Sequence, residues 1–268
     1  TISRVFQNYY WPRSTQDVIK YVKNCKNCLQ YKSTTQKPMG EMHFSRVNQP
    51  WEIVSIDFIG PLPRSSKGNC YAIVFQDRFT KWVEIKAIRK ATSAVLIKTF
   101  QENIICRFGT PRKVVSDNGS QFISRTFKTT LREWGIQHQL TPPYTPQANP
   151  VERANKVIGM MIAQNTNAVP RNWDQHLPEI AFAINSVKHD STQYTPAFLN
   201  FGREMLPTNT LIREVQPEAD GEMVQPQEYG TKLEKLEEFR QLAREALAQA
   251  FETQKKYYNL RRRPYQPR

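Results

Sequence analysis

The chain has 268 residues, a length that suits one or two domains. The residues AVILMFWYC make up only 39% of it, which predicts an ordinary core plus stretches that belong to no core, and 38 Lys and Arg against 24 Asp and Glu leave a net charge of +14. That excess favours a polyanionic partner, and a membrane-spanning helix is excluded because the longest nearly apolar run, Val157 to Ala163, falls far short of the ~18 residues it needs. The chain opens on Thr1 without a secretory leader pattern, and its 4 Cys are too few for a disulfide framework, so a fragment from a reducing compartment is expected.

In chain order, a helical stretch from Asp17 to Val22 precedes Cys25-Lys-Asn-Cys28, the spacing of half a zinc site. Ile53 to Ile59 is a strand stopped by Gly60-Pro61, and Tyr71 to Phe75 and Trp82 to Ala87 follow closely enough to pair with it as an antiparallel meander. Thr92 to Cys106 has helical spacing and ends at Gly109-Thr-Pro111. Lys113 to Ser116 is a short strand, Gln121 to Trp134 a helix closed by Gly135, and Ile136 to Leu140 a fifth strand. A Pro-rich loop, Thr141 to Pro146, leads into a helix from about Pro150 to Thr166. Residues 201–230 carry 2 basic and 6 acidic side chains, and Gln216 to Gly230 reads as a linker. Lys232 to Tyr258 is helical, with Leu233, Leu236, Phe239, Leu242, Leu247 and Phe251 near one face, and is expected to pack on the core or on another subunit. This order predicts an α/β RNase H-like core, a five-stranded mixed sheet with helices.

Three carboxylates carry the chemistry. Asp57 lies inside an apolar strand, where a charge is rarely buried unpaired, so it serves either a cation or the Gly60-Pro61 turn. Asp117 follows a buried strand in Asp-Asn-Gly and has a turn or capping role as its alternative. Glu152 falls three residues after Asn149, so a capping box competes with catalysis. If two strand ends and one helix start converge, the acids repel unless cations neutralise them. Mg²⁺ shared between carboxylates and a substrate phosphate satisfies that demand, and phosphoryl transfer on nucleic acid is the reaction class. Cys70 and Cys106 have apolar neighbours and are expected in the core.

Ser116-Asp-Asn-Gly-Ser-Gln-Phe122 and Tyr144-Thr-Pro-Gln-Ala-Asn-Pro-Val-Glu-Arg-Ala-Asn155 resemble the integrase of a gypsy-type LTR retrotransposon. Ser55 to Pro63, Asp77-Arg-Phe-Thr-Lys-Trp82, Trp173 to Asn185, Thr195-Pro196 and Phe201-Gly-Arg203 resemble the same family, over roughly residues 5 to 206. The resemblance implies that Asp57, Asp117 and Glu152 hold Mg²⁺ or Mn²⁺. It implies two reactions on double-stranded DNA, trimming of the element's 3′ ends and attack of the new 3′-OH on target DNA. Gln147, Asn155 and Lys156 match positions that face the DNA end, whereas Gly159 stands where relatives often carry a base. Tyr10-Trp-Pro12 with Cys25 and Cys28 resembles the family's N-terminal zinc module, in which a histidine pair lies about thirty residues upstream of the cysteines; Zn²⁺ is expected in the intact module.

The expected organisation is a partial helical zinc-binding module at 1–40, a catalytic core at 45–206, an acidic linker at 207–230, a long helix at 231–258 and a basic tail at 259–268. Arg261, Arg262 and Arg263 in that tail suit DNA phosphate or nuclear import. A homo-multimer, no membrane association, and a nuclear location after passage through a virus-like particle or the cytoplasm complete the expectation. Two rivals stand beside it. A domesticated or decayed copy would act as a DNA-binding or interaction protein, and an RNase H-like nuclease or transposase would share the fold. The nuclease normally needs a further acid from the first core helix, where Glu102 is the candidate.

Overall fold

A computed structural model describes residues 5–25, 46–141, 151–166, 170–206, 226–260 and 262, without the side chains of Glu152 and of residues 226–233. Two compact units result, one from residues 1–43 with 254–268 and one from residues 44–253. In the first, helix α1 (Ser14–Asn24) buries Ser14 and Val18 and extends the expected helix at both ends. Trp11 Nε1 donates to Asp17 at 2.8 Å in its first turn, and Lys23 lies in the last, charges that suit the helix dipole.

The second unit is built on five strands, β1 (Ile53–Ile59), β2 (Tyr71–Asp77), β3 (Val83–Ile88), β4 (Lys113–Ser116) and β5 (Gln137–Leu140), in the order β3-β2-β1-β4-β5. The first three form the expected antiparallel meander, and β4 and β5 run parallel to β1. Parallel neighbours need crossovers, which the intervening helices supply. Just ahead of β1 and β4, Arg112 forks onto Glu52 Oε1 at 3.0 and 2.7 Å, while Lys113 N–H donates to the Glu52 carbonyl.

Alternation along β1 divides the sheet. Val54 and Ile56 join Ile73, Phe75 and Val114 beneath Leu96, Phe100 and Ile104 of helix α2 (Ser93–Phe100) and its extension. Ser55, Asp57 and Ile59 point to the other face, where Ala72, Val74 and Val83 meet helices α5 (Val151–Thr166) and α6 (Leu177–Ser186). The two helices between β4 and β5 are α3 (Ser120–Ile123) and α4 (Arg125–Glu133). Asn185 at the end of α6 binds β3 through both amide atoms, accepting from Val83 N–H at 2.8 Å and donating to its carbonyl at 2.9 Å.

Four expectations need correction. The helix read as 121–134 is two, because Ser124 is extended (ψ 147°) and its Oγ caps α4 by accepting from Phe127 N–H. Cys106 is exposed and Cys70 only half-buried. A π-helical turn, Gln101–Ile105, adds a residue after α2 and rotates the short helical turn beyond it, so Ile104 is buried and Cys106 is not. The last helix, α8 (Pro226–Asn259), starts inside the stretch read as linker, with Pro226 at a first position that proline tolerates. It packs on its own chain: Ala243 is buried with Phe79 and with Leu199 of helix α7 (Pro196–Phe201), Arg244 donates to the Asn48 carbonyl at 2.9 Å, and Phe239 edges onto Tyr194 and Phe198. No helix among the described residues is long and apolar enough to cross a membrane.

Candidate active site

Register aligns the approaches to the two aspartates. β1 and β4 pair as far as Ser55 with Val115; Asp57 lies two residues further along β1, and Asp117 follows the last residue of β4, Ser116. Asp57 is half-buried. Its Oδ1 accepts from Phe58 N–H and its Oδ2 accepts from Asn155 Nδ2 of α5, both at 2.8 Å. The second of these bonds ties Asp57 to the helix above it. Asp117 closes its own turn by accepting from Gly119 N–H at 2.9 Å with Oδ1, so the turn role is real but occupies one oxygen. Its Oδ2 has no protein partner among the described residues. Asn118 Nδ2 donates to the Thr141 carbonyl at 2.8 Å and anchors that turn to the end of β5.

The Glu152 backbone lies in the first turn of α5, three residues before Asn155, and its side chain lies outside the described residues, as does Asn149, its capping partner in the sequence reading. Lys156 is exposed on α5. Gln147, Cys28, Arg261 and Arg263 also lie outside the described residues. Arg262 and Cys25 belong to the other unit. Arg262 sits over the Tyr258 ring at 4.7 Å, and Cys25 is half-buried at the end of α1. Glu102 is exposed beside Lys98, on the helical segment that covers the face opposite Asp57, so it does not join the aspartates.

The donor set suits a hard divalent cation. Carboxylate oxygens, such as those of Asp57 and Asp117, are the ligands Mg²⁺ and Mn²⁺ take. The second observation is Asn155 Oδ1, buried without a hydrogen-bond partner beside Asp57 while its own amide nitrogen is engaged there. An orphaned buried oxygen of this kind is expected where a water or ion completes the shell. Among the described residues no group of three His, Cys, Asp or Glu is close enough to hold a metal alone.

Sequence reading gave no role to Asp77, one of the most connected side chains in the unit. It is fully buried and accepts from Trp51 N–H at 3.0 Å, Thr80 N–H at 2.8 Å and Thr80 Oγ1 at 2.7 Å, with Phe79 N–H at 3.3 Å. Burial pushes its carboxyl above the usual range against the pull of those donors. An Asp followed by Thr three residues on is a turn signal that was open to reading.

Residues 47–146 match the integrase core domain family and residues 1–34 match the integrase zinc binding domain. The chain belongs to the retroviral and retrotransposon integrase family. It is 31% identical over 216 residues to gypsy retrotransposon integrase-like protein 1 of Bos taurus, covering 80% of this chain and 43% of that protein. It is likewise 31% identical over 203 residues to the Pro-Pol polyprotein of simian foamy virus type 3, covering 75% of this chain and 18% of the polyprotein. This integrase chain thus spans less than half the length of the curated relatives it matches. A chain of the simian T-cell lymphotropic virus intasome, solved in complex with the PP2A regulatory subunit B56 gamma, shares the fold: TM-score 0.55 at 21% identity, covering 82% of this chain and 74% of that one.

Proposed function

We propose that this integrase catalyses phosphoryl transfer on double-stranded DNA, trimming 3′ ends and joining them to a target, with Asp57, Asp117 and Glu152 as its catalytic carboxylates. The observation that carries the reading is the β1–β4 register, which aligns the segments leading to Asp57 and Asp117, together with the bond from Asn155 of α5 to Asp57. Divalent cations bound there would lower the barrier by stabilising the attacking and leaving oxygens of an in-line displacement. The chain's own part is orientation. Asn155 fixes the Asp57 carboxylate, the Asp117 turn aims that residue's second oxygen, and α5 carries Glu152 to the same edge. Gln147 and Lys156 then contact the DNA end, and Arg261, Arg262 and Arg263 contact phosphate or direct nuclear import. Zinc held partly by Cys25 and Cys28 stabilises the N-terminal module of the intact protein. Joining two DNA ends calls for more than one copy of the chain.

The test is joining of a 3′-recessed duplex end to target DNA with Mg²⁺, wild type beside Glu152→Gln. The variant is expected to lose joining by about a thousandfold or more while keeping fold and DNA binding. Full joining by that variant would leave Glu152 as a helix cap and sink the assignment. Wild-type binding without joining would favour the non-catalytic, domesticated reading instead.

A further inference from the structure

The turn between β2 and β3 gathers positive charge at the other end of β1 from the carboxylates, since Arg78 N–H donates to the Ile53 carbonyl, four residues before Asp57. Within it Lys81 takes a left-handed backbone (φ 67°), and its Nζ folds back to donate to the Arg78 carbonyl at 2.7 Å. The Asn185 clamp on Val83 brings the loop after α6 to the same turn. In that loop His189 Nδ1 accepts from Ser191 N–H at 3.1 Å, which leaves its Nε2 facing outward from that bond. Arg153, on the first turn of α5, adds a further cation. Burial, then the charges of Lys81 and Arg153 against the pull of Asp190, push His189 down to about 4. Burial followed by Arg78 pushes Lys81 down to about 8.

Arg78, Lys81 and His189 are half-buried and Arg153 is exposed. None of Arg78, Lys81 and Arg153 makes an ion pair with a carboxylate among the described residues. Among the described residues the acids acting on this cluster are Asp77, whose oxygens are engaged by its own turn, and Asp190, exposed in the loop, and each offsets only part of the excess. Like charges held together and partly desolvated destabilise a fold unless an anion neutralises them. Arg and Lys heads at a surface turn, in a chain of net charge +14, suit the spaced phosphates of a nucleic acid better than a single carboxylate.

We infer that Arg78, Lys81 and Arg153, joined by His189, form a second contact for the phosphate backbone of duplex DNA, centred on the turn between β2 and β3. This rests on the proposed action on DNA. The test therefore reads binding in EDTA, where joining plays no part. Lysine acylation of the wild-type chain is followed by mass spectrometry with and without a saturating duplex. Lys81 is expected to be protected several-fold and Lys98, on the opposite face, to be unchanged. The double variant R78Q/K81Q is expected to lose about tenfold in affinity at ~0.1 M salt and to flatten the salt slope by about two, while K81R stays near wild type. Wild type that binds duplex with Lys81 unprotected, or an R78Q/K81Q chain with unchanged slope, overturns this contact alone. Absence of duplex binding by the wild type overturns the action on DNA as well. Equal protection by inorganic phosphate alone makes the turn a small-anion pocket and overturns the DNA assignment.

Discussion

Asp57 and Asp77 sit on neighbouring antiparallel strands and meet opposite fates. Asp77 is fully buried, and every donor within reach belongs to its own turn or to Trp51. Asp57 is half-buried, and its partners include the neighbouring Phe58 N–H and the Asn155 amide of another element. The donors to Asp77 come from its own turn and from Trp51, whereas Asp57, proposed for chemistry, is tied through Asn155 to a separate helix. The difference lies in what surrounds the acid rather than in how deeply the strand is buried.

Four experiments bear on that contrast. The largest effect belongs to Asp57→Asn or Asp117→Asn, each expected to cut DNA joining by about a thousandfold or more, with the thermal midpoint moved by no more than about 2 °C. Joining that survives either change would put the chemistry elsewhere. Asp77→Asn should do the reverse, lowering unfolding free energy by about 3 kcal/mol in a urea titration through the loss of charge-assisted acceptors. A stable Asp77→Asn protein would erase the distinction. His189 comes next. Because its folded-state value lies near 4 and its ordinary value is 6.5, the folded chain binds fewer protons between those limits. Stability therefore falls as pH drops through that window, by about 2 kcal/mol, and His189→Asn should flatten the slope. The smallest effect is that of Asn155→Ala, a positioning change expected to slow joining about tenfold and to alter its dependence on Mg²⁺ concentration, which a purely structural role leaves alone.

Much of this was legible in the sequence. The apolar runs around β1, β2 and β4 specify strands by composition, and a lone Asp inside one of them marks itself by the cost of burying a charge. Ser124 was not legible as a break, because a serine between helical runs reads equally as helix interior until its hydroxyl is seen to cap. The π-helical turn before Cys106 is likewise silent, since one added residue changes which side faces the core without changing composition. The alignment of the segments leading to Asp57 and Asp117 depends on pairing between strands about sixty positions apart, which local pattern does not encode. The cationic turn was missed because Arg78, Lys81, Arg153 and His189 come from three separate segments and meet only in the folded chain.

The fork of Arg112 onto Glu52 gives the site a safeguard that lies outside it. Side chains alternate between faces, so a slip of β4 by a single residue against β1 would carry Asp117 to the far side of the sheet. The hydrophobic layers would suffer, but a chain trapped that way would retain most of its backbone pairing and none of its paired acids. By joining the residues just ahead of both strands, Glu52 and Arg112 select the alignment before the acids are reached. Fidelity of assembly at one end of the strands thus bears on the proposed chemistry at the other, through an ion pair that lies outside the candidate site.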